Sequence, residues 1–386
     1  MGRITHVPIG APTGVINQAL LRIRLQDQFI LPDYFLKLFR SPLIQNSVLN
    51  KTVGGAIQNL AAVKELKTIP LPIAPLPEQK RIVEKLDSLL AQVDTIQQRL
   101  NNLPNIIKRF RQSVLASAVS GKLTEQWRGD SEYKIENGMH VPTTWSVKPS
   151  LDVCDKVQSG STPRNNPFDQ NGTIPFLKVY NIVNQEINFD YKPQFITEEI
   201  HSTKIKRSIA LPGDILMNIV GPPLGKVAIL TNQFPEWNLN QAITLFRANE
   251  DILNKKYLYF VLCEGELVRK VMPDTKGSVG QINISLSQCR ESLIPLPPIE
   301  EQTEIVRLVE QYFALADTLE KNLTNAKIRV DNLTQSILAK AFRGELVPQD
   351  PNDEPADKLL ARIKAARLEA EKLEKAAKKA AKTSKK

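Results

Sequence analysis

The sequence predicts an α+β protein in which mixed α/β globular domains are joined by two long antiparallel coiled-coil helices in a duplicated, pseudo-twofold arrangement. Three observations lead to this prediction: a long heptad pattern, its recurrence later in the chain, and a mixture of strand and helix patterns between the two. A helix whose apolar residues repeat every 3.5 positions buries that seam against a partner helix. Two matching seams in one chain are the simplest partners for each other.

The two heptad patterns lie 223 residues apart. We expect their apolar positions to be core residues, and Pro104 to kink or break the first helix near its middle. The first pattern runs from Gln79 to Ala118 and comprises Ile82, Leu86, Leu89, Val93, Ile96, Leu100, Leu103, Ile107, Phe110 and Val114. The second comprises Ile305, Val309, Tyr312, Ala316, Leu319, Leu323, Ala326, Val330, Leu333 and Ile337.

The repeat extends beyond the helices. Ile-Asn-Gln-Ala at 16–19 recurs as Leu-Asn-Gln-Ala at 239–242, so Asn240 and Gln241 are expected to serve the shared framework. Ile-Pro-Leu-Pro at 69–72 recurs at 294–297 with an offset of 225, which predicts a small insertion. Each copy therefore consists of a globular domain, a Pro-rich hinge and a long helix ended by a glycine.

The spacing of the repeat sets the expected domain boundaries. They are 1–77 for the C-terminal part of a first globular domain, 78–121 for the first long helix, 122–144 for a polar linker, 145–300 for a complete second globular domain, 301–344 for the second long helix, and 345–386 for a basic tail that is partly helical or disordered. An equally long first copy would begin roughly 80 residues before Met1, so the sequence is expected to open partway through a domain.

Composition favours the reducing cytoplasm and is consistent with binding to DNA. The net charge is +10, and residues 356–386 hold eleven Lys or Arg against four Asp or Glu, which places most of the excess in the tail. Positive charge favours polyanionic partners. No apolar run reaches the roughly 18 residues of a membrane helix, and the three cysteines lie far apart, which disfavours disulfides and structural zinc.

Three sequence patterns that could suggest catalysis lack features that the chemistry requires. Residues 221–227 resemble a phosphate-binding loop but are one residue short, and neither Ser nor Thr follows the lysine. Asn-Asn-Pro-Phe at 165–168 lacks a Gly-rich loop before it, and the three histidines are scattered. We therefore expect neither a metal site nor intrinsic enzyme activity.

The order of motifs is similar to that of a known family. Asn-Gln-Ala, then Ile-Pro-Leu-Pro, then Glu-Gln opening a heptad helix, then Gly-Lys-Leu or Gly-Glu-Leu, resembles the specificity subunit of type I restriction-modification systems over residues 2–348. The motifs at 159–163, 174–178, 213–216 and 239–242 resemble the family's target recognition domain.

The resemblance implies a DNA-recognition subunit without chemistry of its own. Two target recognition domains would each read half of a bipartite double-stranded DNA site, and the helices would set the gap. Partner methyltransferase (M) subunits would use S-adenosylmethionine, and partner restriction (R) subunits would use ATP and magnesium. Because the first domain is expected to be incomplete, the chain is either a non-functional truncated subunit or one that forms a homodimer through the helices.

Polar and basic side chains in turns between strands are the natural DNA contacts, because amides and cations pair with base edges and phosphates. The candidates are Ser161, Thr162, Arg164, Lys178, Tyr180, Asn181, Asn218, Lys226 and Lys276.

The alternative function is a coiled-coil structural protein that binds DNA without sequence specificity through its tail. The complete globular domain at 145–300 argues against it, since a simple scaffold would not need such a domain.

Overall fold

The computed structural model describes residues 4–8, 10–17, 20–49, 66–163, 166–271 and 282–383. The chain divides into two compact units. Unit 1 comprises residues 1–104 and 321–386, and unit 2 comprises residues 105–320. Each of the two long helices contributes residues to both units.

The predicted long helices are present, and each has 44 residues. The helices are α1 (Pro32–Arg40), α2 (Pro42–Leu49), α3 (Leu76–Val119), α4 (Glu125–Arg128), α5 (Ser150–Val153), α6 (Lys255–Glu264), α7 (Glu266–Val271), α8 (Leu286–Arg290), α9 (Ile299–Phe342) and α10 (Ala356–Thr383). α3 continues through Pro104, so the expected break is wrong. Pro104 is exposed, which allows water to hydrate the carbonyl group that its missing N–H leaves unbonded.

Within each unit, α3 and α9 run antiparallel. In unit 1, Gln97 donates a hydrogen bond to Asp331 at 3.0 Å. In unit 2, Arg111 pairs with Asp317 at 2.6 Å, and the rings of Phe110 and Tyr312 meet edge to face. Within unit 1, Leu86 clusters with Phe342 while Gln97 bonds to Asp331, so the residue number falls on α9 as it rises on α3, which confirms the predicted antiparallel pairing.

The heptad seam is buried only in part. Ile82, Leu86, Ile305 and Val309 are in the core, as expected. The expectation of a fully buried seam is wrong for four of its members, which are exposed: Ile96, Tyr312, Leu319 and Leu333. A straight α-helix drifts about 20° per heptad relative to a 3.5-residue repeat, so a regular seam turns away from its partner along 44 residues.

The core of unit 1 lies where α1 and α2 meet the two long helices. Tyr34 and Leu38 of α1 pack in one cluster with Leu86 of α3 and with Phe342 of α9. The rings of Tyr34 and Phe342 meet edge to face with centroids 5.3 Å apart. The short helices thereby fix the beginning of α3 against the end of α9.

In the described part of the chain, every strand belongs to unit 2. The strands are β1 (Tyr133–Glu136), β2 (Met139–Pro142), β3 (Ser146–Pro149), β4 (Cys154–Ser159), β5 (Ile174–Leu177), β6 (Ile182–Val183), β7 (Glu186–Ile187), β8 (Phe195–Ile196), β9 (Ile215–Asn218), β10 (Val220–Gly221), β11 (Val227–Ile229), β12 (Asn238–Leu239), β13 (Ile243–Ala248), β14 (Ile282–Asn283) and β15 (Leu293–Leu296). An antiparallel sheet of order β11-β9-β13-β4 is central, and a smaller sheet has the order β12-β5-β8. The strands predicted from 174–179, 214–220 and 225–230 are all found.

Residues 122–144, expected to be a polar linker, are folded into unit 2. They form α4 and the β1–β2 hairpin, and Val141 is buried in the main core. Trp145 follows directly and is also buried there. This part of the chain is therefore a structural element of unit 2.

A buried glutamine joins the globular part of unit 1 to the beginning of its long helix. Gln79 Nε2 donates to the carbonyl oxygens of Phe29 and Ala74 at 2.8 and 2.7 Å. Its Oε1 accepts the N–H of Leu31 at 2.8 Å. The side-chain amide thus satisfies three main-chain groups at once.

Unit 2 repeats this junction with the residues that lie 223 positions later. Gln302 Nε2 donates to the carbonyl oxygens of Ile252 and Pro297, both at 2.9 Å, and its Oε1 accepts the N–H of Asn254 at 2.7 Å. All four residues keep the same offset from their counterparts in unit 1. The duplication seen in the sequence is therefore preserved in individual hydrogen bonds.

Hydrogen bonds from two tyrosines show which residues of the two Pro-rich segments correspond. The hydroxyl group of Tyr34 donates to the carbonyl oxygen of Pro72 at 3.2 Å, and that of Tyr257 donates to Pro295 at 2.7 Å. Both pairs are offset by 223, so the 225-residue offset and the insertion expected from Ile-Pro-Leu-Pro are wrong. With the 223-residue offset, Pro-Leu-Pro at 295–297 lies opposite Pro-Ile-Ala at 72–74, so the identical letters at 70–72 are not its structural counterpart.

Replacing Gln302 with alanine is expected to destabilise unit 2 by about 2–4 kcal/mol, because three main-chain groups in or beside the core lose their hydrogen-bond partner. All three tryptophans, Trp127, Trp145 and Trp237, belong to unit 2, so urea unfolding followed by intrinsic fluorescence reports on that unit. Gln233→Ala, at an exposed position of unit 2, is the control and should change the midpoint little. Equal midpoints for the two variants would contradict the proposed role of the junction.

The basic tail forms the helix α10 through Thr383. Among the described residues, no helix is long and apolar enough to cross a membrane. Arg362 of this helix pairs with Glu354 at 2.8 Å, while Lys358, Lys364 and Lys372 are exposed.

Candidate nucleic-acid interface

The predicted DNA contacts fall on three loops of unit 2. Ser161 and Thr162 follow β4, Lys178 and Tyr180 follow β5, and Lys226 precedes β11. Asn181 lies in the second of these loops and Asn218 ends β9. Arg164 and Lys276 lie outside the described residues.

Asn181 is buried and its amide is used by the fold. Its Oδ1 accepts the N–H of Lys178 at 3.0 Å, and its Nδ2 donates to the carbonyl oxygens of Asn188 and Tyr191 at 3.1 and 2.9 Å. The residue is about 1% exposed. The expectation that Asn181 faces a base does not fit this geometry; instead it closes the loop after β5.

Asn218 has the same role in the turn between β9 and β11. Its Nδ2 donates to the carbonyl oxygens of Val220 and Pro223 at 3.1 and 2.7 Å, and its Oδ1 accepts the N–H of Lys226 at 2.6 Å. Asn218 is fully buried. It holds the turn that presents Lys226, so a direct contact of Asn218 with DNA does not fit the structure either.

A cluster of aromatic and basic side chains surrounds the loop after β5. The ammonium group of Lys178 lies 4.3 Å from the ring centroid of Phe168, a cation–π contact. Tyr180 meets Tyr191 edge to face, and the ammonium group of Lys192 lies 5.2 Å from the Tyr191 ring centroid. Tyr191 and Lys192 were not among the residues predicted from the sequence.

The tyrosine hydroxyl in this cluster remains a neutral hydrogen-bonding group. Burial raises the pKa of Tyr180 above its ordinary value, partly offset by the charge of Lys192. Its O–H donates to the carbonyl oxygen of Lys192 at 3.2 Å. The exposed ring of Tyr191 and the two ammonium groups are left as the surface that a nucleic acid can contact.

The loop after β4 is held by close main-chain packing. The N–H of Ser161 donates to the carbonyl oxygen of Leu239 at 2.9 Å. A Cβ atom at Gly160 would lie 2.1 Å from the carbonyl oxygen of Asn240, so only glycine fits there. The Ser161 and Thr162 side chains are therefore placed by backbone contacts and remain half-buried.

A second group of basic side chains was not predicted from the sequence. Lys204, Lys206 and Arg207 are exposed and, within the described part of the chain, form no ion pair with a carboxylate. Between them Ile205 is buried in a small cluster with Phe176 and Ile196, and Phe168 packs on the same cluster. Lys178 and the three cations are thus anchored on one apolar cluster. The Lys-Ile-Lys-Arg run at 204–207 was the sequence pattern that could have revealed them.

A buried polar network holds this basic segment. Asn238 Oδ1 accepts from Ser208 Oγ at 2.7 Å and from the N–H of Leu239 at 3.2 Å, which fixes the amide orientation. Asn238 Nδ2 then donates to His201 Nδ1 at 3.0 Å, leaving the Nε2 proton for Glu236 at 2.9 Å. His201 therefore has a structural role.

Among the residues that the structure describes, no group of three His, Cys, Asp or Glu side chains could hold a metal ion. Burial raises the pKa of the Cys154 and Cys263 thiols to about 12 and that of Cys289 to about 11, which keeps them protonated and poorly nucleophilic at neutral pH. The fold and its surface thus define a duplicated protein whose β-rich unit 2 presents cations and aromatic rings.

Comparison with known proteins identifies the family. A protein-family model described as "Type I restriction modification DNA specificity domain" matches residues 7–105 and 142–328 of the chain. The EcoBI specificity subunit of Escherichia coli is 34% identical over 372 residues, covering 92% of this chain and 75% of the relative. The EcoKI specificity subunit of E. coli K12 is 33% identical over 375 residues, covering 94% and 76%. The chain therefore belongs to the type I restriction-modification specificity subunits, the non-catalytic DNA-recognition components of these systems.

Solved structures share the fold. A chain from a study of complex assembly and conformational transition of the type I R-M system superposes with a TM-score of 0.61 at 22% identity, covering 84% of this chain and 74% of that one. The HsdS subunit from Thermoanaerobacter tengcongensis gives a TM-score of 0.54 at 21% identity, covering 84% and 73%.

Proposed function

We propose that unit 2 recognises one half of a bipartite double-stranded DNA site. The observation that carries this proposal is the set of exposed cations anchored on one apolar cluster beside the loop after β5. Cations position the phosphate backbone, and polar groups on the neighbouring loops read base edges. The proposed contacts are Ser161, Thr162, Lys178, Tyr180, Tyr191, Lys192, Lys204, Lys206, Arg207 and Lys226, with Arg164 and Lys276 retained from the sequence.

The division of labour with partner subunits follows from the family and belongs to the same proposal. Methyltransferase (M) subunits bearing S-adenosylmethionine and restriction (R) subunits using ATP and magnesium would dock on this chain in the cytoplasm. The chain itself would hold no cofactor. Exposed members of the helix seam, Ile96 and Leu319 among them, offer apolar contact area for such subunits or for a second copy.

Selection from a random-sequence duplex pool tests the proposal directly. Enrichment of a defined half-site is the expected result. Flat, strongly salt-dependent binding to all sequences would instead support a structural protein that grips DNA through α10.

The triple variant Lys204→Ala, Lys206→Ala, Arg207→Ala is expected to weaken binding to the selected duplex at least tenfold at about 100 mM salt. Three lost phosphate contacts should also lower the slope of log affinity against log salt by about 2–3. The matched control removes the same charge from the tail: Lys358→Ala, Lys364→Ala, Lys372→Ala. Fluorescence anisotropy compares the two. If the tail variant loses more affinity than the first, the basic segment of unit 2 is not the interface.

A further inference from the structure

The two copies of the repeat differ at one buried carboxylate. In unit 2, Glu301 at the beginning of α9 is about 1% exposed and accepts three hydrogen bonds. Thr124 Oγ1 and Arg128 Nη1 each lie 2.7 Å from Oε1, and Trp145 Nε1 lies 2.9 Å from Oε2. A buried charge is tolerated because these donors replace its water.

Glu78 occupies the same position at the beginning of α3, 223 residues earlier, and lacks these partners. It is about 8% exposed, and no described residue donates a hydrogen bond to its carboxylate. The counterparts of Thr124 and Arg128 are Val347 and Pro351, whose side chains carry no donor. The tryptophans of the chain all belong to unit 2.

The corresponding strand edge in unit 1 has no partner strand among the described residues. In unit 2, β15 pairs antiparallel with β3, the strand that directly follows Trp145. The counterpart of β15 is the segment 70–73, which forms no strand pairing with the described residues. Leu71 in this segment is 39% exposed, whereas its counterpart Ile294 is 1% exposed.

The glycines that end the long helices give a third difference. A Cβ atom at Gly121 would lie 2.3 Å from Pro142 Cγ and 3.3 Å from the Trp145 ring. At Gly344, its counterpart in unit 1, a Cβ atom would meet nothing within 4 Å. Among the described residues of unit 1, none fills the space that proline and indole fill in unit 2.

We propose that unit 1 carries a docking site for an extended, tryptophan-bearing peptide segment of the kind found at 139–149, supplied from outside residues 1–386. The segment would add a strand along 70–73, donate its indole N–H to Glu78 and cover Gly344. Strand addition to an exposed edge is a common mode of peptide recognition. The occupant is specified by the repeat, because unit 2 holds its own copy of this segment on equivalent atoms.

The test uses the full chain and a fluorescein-labelled synthetic peptide of residues 139–150, followed by anisotropy. We expect saturable binding, weakened about tenfold by Glu78→Ala, because a hydrogen bond to a charged group is lost. A Trp145→Phe peptide should bind about tenfold more weakly to the unaltered chain and show no further loss with Glu78→Ala. Glu84→Ala, exposed on the same helix, is the matched control and should bind like the unaltered chain.

Gly344→Ala gives an independent readout, because the free chain has room for the added methyl group while the bound peptide would collide with it. We expect it to abolish peptide binding without changing the far-UV circular dichroism. Absence of saturable binding at 1 mM peptide (roughly −4 kcal/mol) would overturn the proposal, as would equal losses from Glu78→Ala and Glu84→Ala. A dimer in sedimentation velocity that Glu78→Ala dissociates would assign the face to a second copy instead and would also overturn it.

Discussion

Replacing Arg128 with alanine is expected to destabilise unit 2 by about 3–5 kcal/mol, because it leaves the carboxylate of Glu301 buried without its cation. The two side chains are 5% and 1% exposed, and the pair is 2.7 Å long. Urea unfolding followed by tryptophan fluorescence measures the change. The control is Arg109→Ala, an exposed arginine of α3, which should cost less than about 0.5 kcal/mol.

A double substitution distinguishes the cost of leaving one buried charge unpaired from the cost of removing both charges of the ion pair. Adding Glu301→Gln to Arg128→Met removes both charges and is expected to recover much of the lost stability, since an uncharged pair carries a smaller desolvation cost. No group among the described residues accepts a hydrogen bond from the buried Arg128 Nη2 atom, so Glu301 and the main chain use only part of the guanidinium. A double variant less stable than Arg128→Ala alone would show that packing of the side chains, not the buried charge, dominates.

Gly121→Ala is expected to destabilise the chain by about 3 kcal/mol or more, whereas Gly344→Ala should cost about 1 kcal/mol. Both glycines end a long helix with a positive φ angle, +77° at Gly121 and +79° at Gly344. Alanine is therefore expected to introduce a similar backbone strain at each position. Only at Gly121 does the new methyl group overlap Pro142 and the indole of Trp145. Thermal unfolding by circular dichroism compares the pair, and equal losses would refute the packing difference between the two helix ends.

The sequence predicted the elements with a strong period. The heptads located both long helices to within three residues, and alternating or apolar runs located β5, β9 and β11. The tail was expected to be partly helical or disordered, and it is helical as far as Thr383. These successes share a cause: periodic apolar residues have one way to be buried in a helix or a strand.

The candidate interface was harder to predict, for a physical reason that Asn181 and Asn218 illustrate. An asparagine in a turn pairs equally well with a base or with the main chain, and only the three-dimensional structure shows that both amides are consumed by their own loops. Lys206 and Arg207 were passed over because the segment that carries them has no periodicity. Their exposure depends on Ile205 being drawn into a cluster with Phe176, a contact distant in sequence.

The glutamine junctions have a consequence for how such proteins diversify. Gln302 bonds to the carbonyl groups of Ile252 and Pro297 and to the N–H of Asn254, all of them main-chain atoms, and Gln79 does the same in unit 1. A connection that uses only main-chain atoms places no demand on the identity of the side chains around it. The side chains of the globular domain can therefore change while the hydrogen bonds of the joint to the helix stay the same.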